Sequence, residues 1–157
     1  MQSPRTAPAD AERPFGLHEL FFSTTDRKGR IRSGNGVFIR VSGYAEAEMV
    51  GQPHNLIRHP DMPRCVFDLL WSELIAGRSI AAYVKNRAKD GAFYWVMATV
   101  TPLADGGFLS VRLKPSSAVF DAARGIYGQL LAREREVEAE GGTRKEAIAA
   151  STALLGE

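Results

Sequence analysis

The sequence predicts an α+β protein with a five-stranded antiparallel sheet, short helices on one face of that sheet, and an amphipathic helical tail. Two β-prone runs open the chain, short segments with helical spacing occupy its middle, and three further β-prone runs follow. Asp90-Gly91 and Asp105-Gly106-Gly107 separate the last three runs, and such pairs are strong hairpin signals. Strands and helices that are segregated along the chain favour an antiparallel sheet that leaves a cleft for a ligand beneath its helices.

The first two strands are predicted to flank a tight turn. Leu20 to Thr25 is a β-prone run, and Ile31 lies on the return strand. Residues 26–29, Asp-Arg-Lys-Gly, suit a hairpin turn in which the glycine takes positive φ. The Ser-Gly-Asn-Gly stretch at 33–36 then ends the second strand.

Short helices are predicted between residues 37 and 76. Helical spacing covers 37–41, and Ala45 to Val50 forms another short helix. Residues 52–63 are irregular, with prolines, two histidines and no clean period. Pro63 suits the first turn of a longer helix that Gly77 closes. The apolar face of this helix is expected to carry Val66, Leu69, Leu70 and Leu74.

The last three strands are predicted at 80–84, 93–101 and 108–113, where the pattern becomes continuous or period-two apolar. After them, apolar residues recur at spacings of three and four from Phe120 to Val137, and Glu134 breaks the row. Residues 143–146, Thr-Arg-Lys-Glu, have the form of a capping box that opens a final helix.

Composition excludes several classes of protein. Apolar residues make up 45% of the 157 residues and charged residues 24%, as in an ordinary globular domain. The formal net charge is +2 and the lysines and arginines are scattered, which argues against nucleic-acid binding. No apolar run reaches the roughly 18 residues of a membrane span, and the N-terminus lacks a signal peptide. With Cys65 as its single cysteine, the chain is expected to lie in the reducing cytoplasm.

Six segments resemble the PAS domain of aerotaxis receptors in order and spacing. They are Phe22-Ser-Thr-Thr-Asp26, Val41-Ser-Gly-Tyr44, Gly51-Gln-Pro-His-Asn55, Arg58-His-Pro-Asp-Met-Pro63, Val84-Lys-Asn-Arg87 and Tyr94-Trp-Val96. The resemblance covers roughly residues 20–115, and GQPHNLIRHPDMP is its most specific part. It implies the PAS fold for a sensor domain over 18–115. Proline, alanine and charge predict a flexible leader over residues 1–17, and the apolar spacing predicts a helical signalling or dimerisation segment over 116–157.

The resemblance also implies a function. Members of that family bind FAD non-covalently and answer changes in the redox state of the cell. The family's receptors continue into a membrane anchor and a signalling domain, and we expect neither in this chain. We therefore expect a redox- or oxygen-responsive sensor that signals to a separate transducer or chemoreceptor, with homodimerisation through the C-terminal helix. A haem-binding gas sensor and a cofactor-free interaction module on the same fold stay open as alternatives.

Asn86 is the first candidate contact for a flavin. It follows the apolar run of a predicted inner strand, and its amide can both donate and accept, which suits a ring edge that presents N–H and oxygens. By resemblance Asn86 contacts the flavin. The alternative is a turn asparagine whose side chain is satisfied by the backbone.

Arg58, His59 and Asp61 form a second candidate group. Arg58 could hold phosphate oxygens bidentately, and His59 could donate to a phosphate or stack on a ring. Asp61 could orient either of them or hold a ribose hydroxyl. By resemblance this stretch belongs to the FAD cleft. The alternative is that Asp61 caps the helix near Pro63 while Arg58 is a solvated surface charge.

The remaining candidates are less specific. His54 could contact the cofactor, serve as an axial haem ligand, or be a hydrogen-bonded loop histidine. Asn35 matches a family asparagine linked to cofactor binding, but asparagine also suits its turn. Trp71 could form a wall of the ring site or pack in the core, and Phe67 lies one turn earlier on the same helix face.

Enzymatic function and light-driven adduct chemistry are not expected. The sequence has no nucleophile with a positioned base, no metal-ligand spacing and no glycine-rich phosphate motif. A light-sensing PAS domain of the LOV type needs a cysteine within Asn-Cys-Arg, and the matching stretch here is Asn55-Leu56-Ile57-Arg58. Cys65 lies seven residues later and is expected inside a helix as a small apolar residue.

Overall fold

The computed structural model describes residues 11–155 and contains the predicted strands and helices. The elements in chain order are β1 (Phe21–Thr25), β2 (Ile31–Gly34), α1 (Gly36–Ser42), α2 (Glu46–Met49), a 3-10 helix (His54–Ile57), α3 (Arg64–Ile75), β3 (Ile80–Arg87), β4 (Phe93–Pro102), β5 (Phe108–Leu113), α4 (Ala118–Ala139) and α5 (Arg144–Leu155). None of the helices in this part of the chain is both long and apolar enough to cross a membrane.

The five strands form one antiparallel sheet in the order β2-β1-β5-β4-β3, which confirms the predicted fold class. β5 lies at the centre, where Ser110 pairs with Ser23 and Arg112 pairs with Phe21. Because successive side chains alternate between the faces of a strand, Phe108, Ser110 and Arg112 share the inner face of the sheet. All three are buried.

The core lies between the inner face of the sheet and helices α1 to α3. Its largest fully buried side chains include Phe21, Phe38 and Tyr94. The ring of Phe21 stacks on that of Tyr94 at 6.1 Å, and Phe15 meets Phe21 edge-on at 4.9 Å. These aromatic contacts fill the core beside Phe21 and Tyr94, and a cavity remains between β5 and α3.

Helix α4 covers the opposite, outer face of the sheet. Phe120 packs against Tyr83 and Trp95, with ring centroids 5.2 and 5.3 Å apart. The Tyr127 hydroxyl donates to the backbone carbonyl of Tyr83 at 2.8 Å. The amphipathic tail is therefore packed on the domain through β3 and β4.

Glu134 breaks the apolar row of α4 because its carboxylate caps another helix. Its Oε1 accepts from the backbone N–H of Arg64 at 2.6 Å, and its Oε2 accepts from that of Cys65 at 3.3 Å. The Ser151 hydroxyl of α5 donates to Oε2 at 2.8 Å. Since the first N–H groups of a helix have no partner within that helix, this buried carboxylate satisfies the start of α3 and joins it to α4 and α5.

Two details differ from the sequence-based expectations, and the structure covers only part of the predicted leader. Leu69 is 49% exposed, so it does not belong to the inner face of α3. Strand β3 continues to Arg87, which places Asn86 inside the strand and not beyond its end. Of the predicted leader, residues 1–10 lie outside the described part of the chain, and Arg13 donates its backbone N–H to the carbonyl of Phe93 at 2.7 Å.

Candidate ligand-binding site

A cavity of about 360 Å³ lies between the inner face of the sheet and α3, and we call it the inner cavity. Its volume falls within the range of small-molecule sites. The residues that line it come from four regions of the fold: the β1–β2 turn, the loop that holds the 3-10 helix, α3, and the inner faces of β3 to β5. They are Thr25, Lys28, Gly29, Pro53, His54, Asn55, Arg58, Phe67, Leu70, Trp71, Leu74, Val84, Asn86, Ala98, Val100, Phe108, Ser110 and Arg112.

Most of the wall of the inner cavity is apolar and flat. Trp71 of α3 and Phe108 of β5 have ring centroids 5.4 Å apart at one side. Val84, Ala98 and Val100 form the floor, where neighbouring strands present small or branched side chains. Such a surface suits a planar aromatic ligand.

Arg112 is the polar group that distinguishes this cavity. It is 2% exposed, and its Nη2 donates to the Ser23 hydroxyl at 2.7 Å. Its Nη1 has no hydrogen-bond partner among residues 11–155, and burial lowers the pKa of Arg112 to about 10. Two other buried side-chain atoms in this range also lack a partner, on Arg13 and Tyr94, but neither residue lines the inner cavity. A buried cationic donor without an acceptor is costly, so a ligand oxygen that reached Nη1 would stabilise it.

His54 lies beside Arg112 at the same end of the cavity. Its Nε2 contacts Arg112 Nη2, and a guanidinium can only donate, so Nε2 accepts and a neutral ring carries its proton on Nδ1. Burial, together with the charge of Arg112, lowers the pKa of His54 from 6.5 to about 3. The pair therefore holds one positive charge, on the guanidinium.

Asn86 lines the cavity from the edge strand of the sheet. It is 3% exposed, and its side-chain amide makes no hydrogen bond to the residues that the structure describes. Its backbone forms an isolated antiparallel bridge with Arg58. The backbone at Asn86 is thus held on both sides, and the donor and acceptor of the side-chain amide are available to a ligand.

Arg58 connects the inner cavity to a second space of about 410 Å³. Its guanidinium lies over the Phe67 ring at 4.0 Å. Five arginines line this second space, and we call it the arginine chamber. The five are Arg58, Arg64, Arg87, Arg135 and Arg144.

Five of the eight predicted site residues therefore meet at the inner cavity. They are His54, Arg58, Phe67, Trp71 and Asn86. The structure does not bring the other three to it. Asn35 caps α1: its Oδ1 accepts from the backbone N–H groups of Phe22 and Phe38, and its Nδ2 donates to the carbonyl of Leu20.

His59 and Asp61 lie on the far side of the loop. The His59 N–H donates to the carbonyl of Lys85 at 3.2 Å, and its Nδ1 accepts from the N–H of Asp61 at 2.9 Å. Asp61 accepts from Arg135 of α4 at 2.9 Å. Burial opposes ionisation of Asp61, but the hydrogen bond from Arg135 and the charge of Lys85 together lower its pKa below the usual value. These two residues join the loop to β3 and α4.

Sequence reasoning missed Thr25, Ser110 and Arg112. Their signal was the period-two pattern of β5, Phe-Leu-Ser-Val-Arg-Leu, in which Ser110 and Arg112 share a face with the apolar Phe108. Polar residues on the inner face of a central strand lie in the core or at a site. The alternation of β5 is visible in the sequence, but an arginine within a strand is usually assigned to the solvent-exposed face.

Comparison with known proteins agrees with this architecture. The PAS fold family matches residues 31–111. The aerotaxis receptor of Escherichia coli (strain K12) is 40% identical over 121 residues, which is 74% of this chain and 24% of that receptor. The nitrogen fixation regulatory protein of Klebsiella pneumoniae is 30% identical over 81 residues, 52% of this chain and 16% of that protein.

Two solved structures show the same fold. A light-oxygen-voltage domain studied with a flavin analogue matches with a TM-score of 0.59 and 23% identity, over 68% of this chain and 83% of that one. The light state of the blue-light photoreceptor Aureochrome1 LOV matches with a TM-score of 0.59 and 21% identity, over 66% and 88%. At these identities the likeness concerns the fold alone.

The chain belongs to the PAS family of sensory domains, as the family match and the five-stranded sheet together show. Within that family, its domain is of the aerotaxis-receptor type, which confirms the resemblance found in the sequence motifs. The chain spans about a quarter, 24%, of the length of the aerotaxis receptor that it matches.

Proposed function

We propose that this PAS domain binds FAD non-covalently in the inner cavity and reports the redox state of the cell, or the oxygen that sets it, to a signal-transduction partner. The cavity lies where a ligand touches the central strands and α3 together. The likeness to an aerotaxis receptor supports a role in sensing, and the resemblance of the motifs implies FAD. We propose a sensor and not an enzyme.

The observation that carries this proposal is the unpaired Nη1 of buried Arg112. The edge of an isoalloxazine presents carbonyl oxygens and ring nitrogens, and one side of that edge becomes more negative when the ring takes up electrons. A desolvated guanidinium binds such a group more strongly in its electron-rich form. Arg112 would therefore raise the reduction potential of the bound ring.

The other residues of the inner cavity fit the same ligand. Asn86 offers a donor and an acceptor to the ring edge, and Trp71, Phe108 and Phe67 offer flat contacts. When bound, a flavin supplies reversible electron uptake, which the protein tunes through hydrogen bonds and charge. Arg112 and Asn86 are the groups of this chain that would do so.

The route from the cavity to an output element runs along β3. Asn86 and Tyr83 belong to this strand, and the Tyr83 carbonyl accepts the hydroxyl of Tyr127 in α4. A ring that binds Asn86 differently in its two redox forms would bias the position of β3 and hence the packing of α4. Signalling requires such a difference in interaction free energy between the two forms.

The partners of the sensor are also proposals. Val119 and Ile126 are 67% and 47% exposed and lie seven residues apart on one side of α4, which supports homodimerisation through this helix. A separate transducer or chemoreceptor would read the signal. We propose that the protein works in the cytoplasm, where the buried free thiol of Cys65 stays reduced.

Haem binding on the same fold has less support. His54 is engaged at Nε2 by Arg112, and His59, whose Nδ1 accepts from the Asp61 N–H, does not line the inner cavity. A cofactor-free module has less support too, because the inner cavity keeps an open volume of about 360 Å³ and a polar donor without a partner.

An absorption spectrum of the purified protein tests the proposal. We expect flavin bands that bleach on anaerobic reduction and return with oxygen, and FAD in the supernatant after heat denaturation. A Soret band would instead indicate haem. A colourless protein that takes up no flavin from solution would show that the proposal is wrong.

A further inference from the structure

The arginine chamber has no role in binding the ring itself, because it lies beyond Arg58 and outside the inner cavity. It is bounded on one side by the PAS domain, through Arg58, Arg64 and Arg87, and on the other by the α4–α5 hairpin, through Arg135 and Arg144. Asn55 and Arg58 line both spaces, so a single ligand can extend from one into the other.

The charges of the chamber favour an anion. Five arginines face two glutamates, Glu134 and Glu138, which leaves an excess of three positive charges. Glu134 is occupied by the start of α3, and Glu138 pairs with Arg64. Among the ion pairs found within residues 11–155, none involves Arg58, Arg87 or Arg144.

Two of these arginines stand where helix stability does not explain them. Arg64 is the first residue of α3 and Arg144 is the first residue of α5. A cation at the N-terminus of a helix opposes the helix dipole and costs stability. The first side chains of two helices therefore converge on one chamber, although Glu134 caps the N-terminus of α3 and Thr143 with Glu146 caps that of α5.

The neighbouring guanidinium groups also influence one another. Burial, followed by the charges of Arg144 and Arg64, lowers the pKa of Arg58 from its usual value. Mutual repulsion of this kind is relieved when an anion binds between the cations. Arginine suits phosphate oxygens in particular, because its planar fork binds two of them at once.

We infer that the arginine chamber binds the diphosphate of a dinucleotide flavin, and that binding fastens the α4–α5 hairpin to the PAS domain. This inference rests on the proposed function, since the ring would occupy the inner cavity. Arg58 and Arg87 would contact the diphosphate from the domain and Arg144 from the hairpin, while Arg135 is paired with Asp61. Ligand binding would then act directly on the α4–α5 hairpin, which contains the helix that we propose as the output element.

Comparison of FAD with riboflavin, which has the ring but no phosphate, tests this inference. In the full chain, Arg144→Gln should weaken FAD binding roughly tenfold, as expected for the loss of a charge-assisted contact. The same change should leave the Kd of riboflavin within about twofold, since no contact of the inner cavity is altered. Lys145→Gln removes the same charge from the next residue, which does not line the chamber, and should change neither Kd.

Hydrogen exchange gives an independent measurement on the wild-type chain. FAD should slow the exchange of α5 amides more than riboflavin does, because only FAD can bridge the domain and the hairpin. ADP alone should compete with FAD and leave bound riboflavin in place.

The outcomes separate this inference from the proposed function. If riboflavin and FAD bind but Arg144→Gln weakens both equally or neither, the inference is wrong and the flavin proposal stands. If neither compound binds the wild-type chain, the flavin proposal fails and the inference fails with it.

Discussion

Arg112 and Glu134 are two buried charged side chains whose surroundings differ in one respect. Both are almost fully inaccessible, with 2% and 3% exposure. Glu134 accepts hydrogen bonds from two backbone N–H groups of α3 and from Ser151. Arg112 has donors left over, and its Nη1 has no acceptor among the residues described.

The difference separates a structural charge from a binding charge. A buried carboxylate whose oxygens are occupied stabilises the elements that it joins, and its removal leaves their donors unpaired. In the free protein, the hydrogen bonds of a buried guanidinium with an unused donor do not offset the free-energy cost of its desolvation. It becomes favourable only when a ligand supplies the missing oxygen. The α3–α4–α5 junction therefore has a structural role, whereas we propose that the Arg112 end of the inner cavity binds a ligand.

The largest expected effect is the loss of the Glu134 carboxylate. Glu134→Ala should lower the free energy of unfolding by about 3 kcal/mol, because it leaves the N–H groups of Arg64 and Cys65 and the Ser151 hydroxyl without their acceptor. Chemical denaturation followed by circular dichroism measures this. Glu136→Ala, on the exposed side of the same helix, should change stability by less than about 0.5 kcal/mol.

Replacement of Arg112 should have little effect on stability and a large effect on flavin affinity. Arg112→Met should change the unfolding free energy of the ligand-free protein by less than about 1 kcal/mol, because it removes a desolvated charge that is only partly paired. The same change should weaken flavin binding by a factor of roughly ten to a hundred, as expected for a charge-assisted hydrogen bond. A destabilisation as large as that of Glu134→Ala, with flavin affinity retained, would assign Arg112 to architecture and contradict the comparison.

The pH dependence of stability sharpens the comparison further. Burial and Arg112 lower the pKa of His54 from 6.5 to about 3 in the folded chain. Below pH 6.5 the unfolded chain therefore takes up a proton that the folded chain does not, and stability is lost as the pH falls from 6.5 towards 3. At pH 5.5 this loss is about 1.4 kcal/mol relative to pH 8.

His54→Asn should lack this contribution. The difference in unfolding free energy between wild type and variant should therefore change by about 1.4 kcal/mol between pH 8 and pH 5.5. Urea unfolding at the two pH values measures it. His18→Asn, at an exposed position, serves as the control and should keep the wild-type dependence. Parallel pH profiles for wild type and His54→Asn would show that the His54 imidazole takes up its proton in the fold as it does in the unfolded chain.

Local signals predicted the elements of the fold well. The glycine-containing turns and the switch from helical to period-two spacing located β1 to β5 and the helices between them. The end of β3 was missed because Lys85 and Arg87 interrupt the apolar run, although both belong to a paired edge strand. Leu69 was assigned to the inner face of α3 because its spacing fits, yet its side chain is 49% exposed.

The candidate site was predictable in part. Asn86, His54 and Arg58 were found because polar residues that interrupt apolar runs or irregular loops stand out along the chain. Asn35 was also selected, but its side chain is hydrogen-bonded to backbone groups of β1, α1 and Leu20. These groups come within its reach only when β1 and α1 pack together. Arg112 was not found because its importance depends on what faces it and not on its sequence neighbours.

The sequence by itself determined the elements, the turns that join them and the PAS family, because these depend on side-chain period, glycine positions and short motifs. Only the tertiary structure decided which charges are satisfied. The hydrogen bonds of Glu134, for example, join it to residues that lie 70 and 69 positions earlier in the chain. A donor such as Arg112 Nη1 is recognised as unpaired only when every element packed around it is in place.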